Sequence, residues 1–211
     1  MHAPSAPPPP VQPPHRPRLS PSHAVGAFAG IGAAMTIALL LAGRRWWCAL
    51  GDAAIGTLDA WGPHNSQHLL DAYVFSHILH GVILFFLFNV GGLRRFPAWQ
   101  LFGVLFLEAA WEVFENSSFV IERYRTTTAA VGYTGDSLLN SIADYVACLG
   151  GWLLSRRLGW KWAIALFLVM EIGCLLWVRD NLTLNVLMIV RPIEAIQHWQ
   201  SGVAGPAAGG G

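Results

Sequence analysis

The chain has 211 residues, 54% of them hydrophobic and only 12% charged, with a formal net charge of +1. A soluble domain carries roughly 25% charged residues, so this composition cannot cover a water-facing surface, and the lack of a basic excess excludes a nucleic-acid binder. Three cysteines, Cys48, Cys148 and Cys174, have an odd count and no CxxC spacing; they give neither a disulfide framework nor a thiolate metal site and read as small apolar fillers.

In chain order, residues 1–22 hold nine of the thirteen prolines. Such a segment cannot hold a helix and has little to bury, so a disordered tail is expected. Apolar runs follow at 24–42, 72–91, 98–115, 137–154 and 160–178. Each is near the ~20 residues needed to cross ~30 Å of hydrocarbon. The first run is closed by Arg44-Arg45 without a small-residue cleavage site and reads as a signal anchor. The stretch 182–190 is apolar but short, and Arg191-Pro192 interrupts it. With Ile193, Ile196 and Trp199 at helical spacing after it, an interfacial or re-entrant helix is expected there, a sixth span being the alternative. Residues 202–211 (GVAGPAAGGG is 202–211) form a second flexible tail. The expected fold is therefore an all-α integral membrane protein: about five transmembrane helices in one bundle, in a membrane domain over 23–201.

Orientation is read from Lys and Arg in the loops. With five spans and a cytoplasmic N-terminus, seven cations fall inside and six outside. The inside loops are tight and basic, the outside ones long and mixed. Trp46, Trp47, Trp99, Trp160, Trp162 and Trp177 sit at span ends, as an aromatic belt would. Segments 44–71, 117–136 and 179–201 then emerge on one outer face.

The spans contain ionisable residues that a plain anchor lacks: His77, His80, Glu108, Glu112, Glu115, Asp144 and Glu171, with Asp136 at a span entrance. Each charge at the centre of a lone helix costs ~3 kcal/mol, so these groups must be paired, neutralised, metal-bound or near water. Glu108, Glu112 and Glu115 share one helix face by their i, i+4, i+7 spacing; Tyr73, His77 and His80 do the same, and Asp136, Asn140 and Asp144 follow i, i+4, i+8. Three helices thus each offer a polar stripe, as bundle sites do. His64, His68 and Asp71 have the same spacing and join that site only if the chain bends near Asp71.

Three readings stay open. In the first, His77 and His80, with Glu112 and Glu115 as ligands, hold a divalent metal such as zinc, iron or manganese. In the second, Glu112, Glu115, Asp136 and Asp144 perform metal-free acid–base chemistry, because closely spaced carboxyls push their pKa values apart. In the third, the network is structural. Arg123 and Arg125, between spans three and four, suit an anionic headgroup, with Asn140 as a further substrate contact; snorkelling toward lipid headgroups is the simpler account. Gly135-Asp136-Ser137-Leu138 spells a serine-esterase signature but opens a span, where a helix N-cap is expected. Asn116-Ser117-Ser118 and Asn181-Leu182-Thr183 are glycosylation sequons without further support.

Several motifs carry a family resemblance: Asn65-Ser66-Gln67-His68, Ser76-His77-x-x-His80-Gly81, Glu108-Ala109-Ala110-Trp111-Glu112-x-x-Glu115-Asn116, Ile121-Glu122-Arg123-Tyr124-Arg125, Gly135-Asp136-Ser137-x-x-Asn140-Ser141-x-x-Asp144 and Arg179-Asp180-Asn181-Leu182-Thr183-Leu184-Asn185. Together, over about 44–200, they resemble uncharacterised protein family 0314 of mainly alphaproteobacterial membrane proteins. The resemblance implies a multi-pass protein of the bacterial inner membrane and supplies no reaction. The Trp-Glu-x-x-Glu and Asp-x-x-x-Asn-x-x-x-Asp pieces are also similar to VanZ-like membrane proteins. The expected partners are the lipid bilayer and a lipid or lipid-linked substrate, handled by a hydrolase or transferase at the outer face. The alternative is a non-enzymatic envelope-assembly partner or small carrier.

Overall fold

The computed structural model describes residues 20–57, 59–128, 130 and 132–202. Both expected tails lie outside these residues, except for 20–22 and 202. Every regular element among the described residues is helical: α1 (Pro21–Leu41), α2 (Val74–Asn89), a 3-10 helix (Gly91–Arg95), α3 (Pro97–Glu115), α4 (Ser118–Thr127), α5 (Leu138–Leu158), α6 (Trp160–Val178), α7 (Leu182–Val190) and α8 (Glu194–Gln200). One isolated bridge joins Gly56 to Leu70.

Local chemistry sets the boundaries. Ser20 caps α1 by accepting from the His23 amide, and Pro21 occupies the first turn, where its missing N–H costs nothing. Helix α1 thus starts inside the segment expected as tail. It ends at Gly43, whose φ of +80° is the left-handed stop that glycine adopts without a Cβ penalty. Pro97 opens α3 in the same way. Gly159 (φ +79°) alone separates α5 from α6. The chain does not run as one helix through 64–84: α2 begins only at Val74, and turns occupy the segment before it.

Three helices, α1, α5 and α6, are long and apolar enough to cross a membrane. The expected count of five is not reached on these criteria. Helix α2 is apolar but has 16 residues, about 24 Å at 1.5 Å per residue. Helix α3 has 19 residues but carries three glutamates. The C-terminal segment forms two short helices, α7 and α8, broken at Arg191-Pro192; at nine residues α7 is too short for a sixth span.

Helices α2 and α5 make the most extensive packing in the molecule. Gly81 and Gly151 allow it: a Cβ on Gly81 would run into the Cys148 carbonyl and the Trp152 amide, and one on Gly151 into the Ile78 backbone. Such small residues let apolar helices pack backbone to backbone. Around this contact Leu79, Val82, Phe85, Val104 and Trp152 form one core, while Met35, Leu39, Leu105, Leu138 and Tyr145 tie α1 to α3 and α5. Burial runs opposite to a soluble protein. Glu108, Glu112, His77 and Asp144 are buried, whereas Leu41, Val169 and Leu176 are 85%, 69% and 79% exposed.

Candidate functional site

The polar stripes of α2, α3 and α5 face one another. His77 Nδ1 lies 2.7 Å from Glu108 Oε1 and 3.2 Å from Glu112 Oε1, and its Nε2 lies 3.7 Å from Asp144 Oδ2. His80 Nδ1 lies 3.0 Å from Glu108 Oε2. Glu108 therefore spans both histidines, and each ring nitrogen of His77 turns to a carboxylate. The His80 ring is held edge-on by Trp111 at 5.4 Å. Two sets could hold an ion, His77–His80–Glu108 and His77–Glu112–Asp144. Both oxygens of Glu112 and Oδ1 of Asp144 are buried without a hydrogen-bond partner. Such groups call for a proton, a water or an ion.

A cavity of about 30 Å³ adjoins this centre, room for about two water molecules. His77, Asp144, Asn140, Glu115, Asp136 and Tyr133 are among its lining residues. On its wall, Asp136 Oδ1 accepts from the Tyr133 hydroxyl at 2.7 Å and Oδ2 from Asn116 Nδ2 at 2.7 Å. Burial pushes the Asp136 carboxyl up to about 7; the nearby Glu115 charge adds to this, and the two hydrogen bonds oppose it. Tyr124 Oη lies 2.9 Å from Glu115 Oε1 and 2.7 Å from Asn185 Oδ1, so its one proton serves either. Asp180, near α7, is raised by burial to about 6 against the hydrogen bonds from the Asn181 amide, Tyr73 and Gln200.

The residues singled out from sequence divide between this centre and elsewhere. His77, His80, Glu112 and Asp144 come together. Glu115 does not reach the histidines: it lies on the cavity wall with Asp136, and Glu108 takes the place beside His77 and His80. Asn140 donates to the His68 carbonyl at 2.8 Å and approaches Asp71 Oδ2 at 3.4 Å. Arg123 Nε donates to the Ile189 carbonyl at 2.8 Å, the favourable place for a cation at the end of α7. Arg125 Nε donates to the carbonyl of Tyr133 at 2.6 Å. Neither arginine is among the cavity-lining residues. Glu171 accepts from the Leu182 and Thr183 amides at 2.9 and 3.2 Å and from the Thr183 hydroxyl, so it caps α7. Ser137 is the N-cap of α5, accepting from the Asn140 amide at 3.1 Å.

The segment before α2 splits. Asp71 accepts from the Ser66 and Tyr73 amides and faces Asn140, while the rings of His64 and His68 turn away toward Cys48 and Asp52. Sequence reading left Asp52 unmarked and took Cys48 as filler. The spacing was present: Cys48 and Asp52, like His64 and His68, are four residues apart. Of the cavity-wall tyrosines, Tyr73 was marked by its spacing with His77 and His80, whereas Tyr124 and Tyr133 carried no such spacing.

A family model described as a protein of unknown function (DUF2585) matches residues 39–202. The UPF0314 protein of Brucella anthropi is 42% identical over 181 residues, covering 82% of this chain and 92% of that one. Those of Sphingopyxis alaskensis and Rhizobium meliloti are 41% and 40% identical, covering 82% and 84% of this chain and 93% and 90% of theirs. No solved structure matches the chain. With matches of that extent, the chain belongs to the DUF2585 family, that of the alphaproteobacterial UPF0314 proteins.

Proposed function

We propose that this is a multi-pass protein of the bacterial inner membrane in which α1, α2, α3, α5 and α6 cross the bilayer from a cytoplasmic N-terminus. Its buried centre acts as a membrane-embedded hydrolase or transferase on a lipid or lipid-linked headgroup at the outer face. The observation that carries the reading is the convergence of His77, His80, Glu108, Glu112 and Asp144 from three helices, beside a polar cavity, with three carboxylate oxygens left unpartnered. A bundle hides such groups from lipid only at substantial cost, and intramembrane ionisable residues mark functional sites by default.

In this reading His77, held at Nδ1 by Glu108, exchanges a proton with Asp144 through Nε2 beside the Glu112 carboxyl, or His77, Glu112 and Asp144 would together hold a divalent metal, which would supply Lewis-acid polarisation of the scissile bond. Glu108 orients both imidazoles. Asp136 and Glu115, at the outer end of the cavity, supply the second acid–base pair. Asn140 sets the wall against which a headgroup rests. Arg125 touches that wall through Tyr133, and Arg123 stands at the neighbouring helix end, where both would meet the anionic group. The cavity must widen to admit it.

A non-enzymatic reading has its own support: Glu108 is saturated between two histidines, and both arginines already hold backbone carbonyls. Metal analysis of the detergent-purified protein separates the two. Zinc, iron or manganese that is lost in the His77→Ala, His80→Ala double variant supports a metal enzyme. No difference in metal content between the two proteins, together with full function of Glu112→Gln, would sink the enzymatic reading.

A further inference from the structure

A second cluster lies in the segment between α1 and α2 and shares no residue with the His77 centre. Cys48 Sγ is 3.5 Å from His64 Nδ1, which is 2.8 Å from Asp52 Oδ2, and Asp52 Oδ1 is 3.3 Å from His68 Nε2. Each of the four side chains offers one donor atom, all within 4.8 Å of one another. Tetrahedral zinc places a cysteine sulfur and a histidine nitrogen about 3.6 Å apart, and a nitrogen and a carboxylate oxygen about 3.3 Å apart. The cluster is close to that spacing. The His68 ring is only 1% exposed, its Nδ1 has no partner, and its Nε2 turns into the cluster. Trp47 packs edge-on against it. Asp52 and His64 are about one-third exposed, which leaves an entry path for the ion.

We propose that Cys48, Asp52, His64 and His68 bind one structural zinc ion. One thiolate, two imidazoles and one carboxylate fill a tetrahedron, the closed arrangement of a structural site. Binding takes the Cys48 thiolate and releases its proton to solvent.

The surrounding fold supplies a reason for such a staple. Among its described residues the segment between α1 and α2 has turns and one isolated bridge but no helix. Irregular segments of this length inside a compact domain need another source of order. The turn from His64 to His68 also contains Ser66 at a φ of +58°, a costly conformation for a residue with a Cβ. The carbonyls of Ser66 and His68 receive the Ser137 amide and the Asn140 side chain at 2.9 and 2.8 Å. Zinc at His64 and His68 thereby fixes the start of α5 and the cavity wall formed by Asn65 and Ser66.

The test uses the full-length protein in detergent, stripped of metal and reconstituted with cobalt. A cobalt ion on a thiolate gives a near-ultraviolet sulfur-to-metal charge-transfer band, and because Cys148 lies beside Glu108 the band is assigned by its dependence on Cys48. The band is expected in the wild type and in the His77→Ala, His80→Ala variant, and is expected to vanish in Cys48→Ser. Absence of the band in folded wild type overturns the proposal, as does its persistence in Cys48→Ser. Where Cys48→Ser does not fold, Asp52→Asn serves instead: loss of this ligand should weaken cobalt binding at least roughly tenfold, and unchanged affinity counts against the site. Because the Cys48 dependence of the band reports only this cluster, its failure leaves the reading of the His77 centre untouched.

Discussion

Glu108 Oε1 on α3 stands 2.7 Å from His77 Nδ1 on α2, with both side chains buried. That bond fixes which way the imidazole faces, because Nδ1 is taken by Glu108 and Nε2 is left toward Asp144. In the proposed function Glu108 is therefore the orienting group and Glu112 the reactive one. The two glutamates, one helical turn apart, should respond differently to substitution.

Replacing Glu108 by Ala strands two imidazoles that now share one carboxylate. Breaking a buried pair in this way costs about 3–5 kcal/mol. The expected result is a clear fall in thermal stability in detergent, with reduced accumulation in membranes. Glu112→Gln removes no hydrogen bond, only the charge 3.2 Å from His77 Nδ1, and should cost less stability than Glu108→Ala while abolishing function. Loss of folded protein in step with function in Glu112→Gln would contradict this assignment.

Asp136 gives a pH signature. Its carboxyl is raised by burial to about 7 in the folded protein, so the folded state holds a proton that the unfolded state has already lost. The stability it contributes is present below the ordinary carboxylate range and falls away as pH rises toward 7. An infrared carbonyl band of a protonated acid should disappear with a midpoint near 7, and Asp136→Asn should remove that component. A difference spectrum without it would show Asp136 ionised throughout.

Gly81→Ala and Gly151→Ala each place a Cβ against the backbone of the facing helix. Overpacking at a backbone contact costs about 3 kcal/mol, the upper end of its usual range. Both variants should melt well below wild type. Gly150→Ala, where a Cβ meets nothing within 4 Å, should melt close to wild type or slightly above, since alanine favours the helix.

Glu171→Ala tests whether a deep carboxylate belongs to the chemistry. It should cost about 2 kcal/mol by leaving the Leu182 and Thr183 amides without their acceptor, while Asn181 still caps the Leu184 amide, and leave the activity of the remaining folded protein unchanged. A specific loss of activity at normal stability would move Glu171 into the functional centre.

The five crossings proposed above would place the two ends of the membrane domain on opposite sides. With the N-terminus inside, alkaline phosphatase fused after residue 202 should be active, and a fluorescent protein at the same place should be dark. The reverse pattern would mean an even number of crossings or an inverted orientation.

Hydropathy and spacing made much of this legible. The five apolar runs became α1, α2, α3, α5 and α6 to within a few residues, because run length and the Gly and Pro punctuation around it are local properties. The spacing rule held inside the helices, for His77 with His80 and for Glu108 with Glu112, but not for His64, His68 and Asp71, which lie in turns before α2. What failed was choosing among members of a stripe. Glu108, Glu112 and Glu115 are equivalent by period, yet Glu108 meets the histidines and Glu115 meets Tyr124. The crossing of α2 and α3 decides that, and no local pattern encodes it. Arg123 read as a free cation for the same reason: its carbonyl partners, Ile189 and Val190, lie 66 and 67 residues away in the chain.

The sequence by itself determined an apolar, helical, membrane-suited chain, its family and the three polar stripes, because composition and periodicity act through each residue's neighbours in the chain. Only the tertiary structure decided that Glu171 is a cap, that Glu108 joins the two histidines, and that Cys48 and Asp52 meet His64 and His68. Those outcomes depend on which backbones approach closely, and here the approach is set by Gly81 and Gly151 between α2 and α5 and by the turn through Ser66, both long-range consequences of packing.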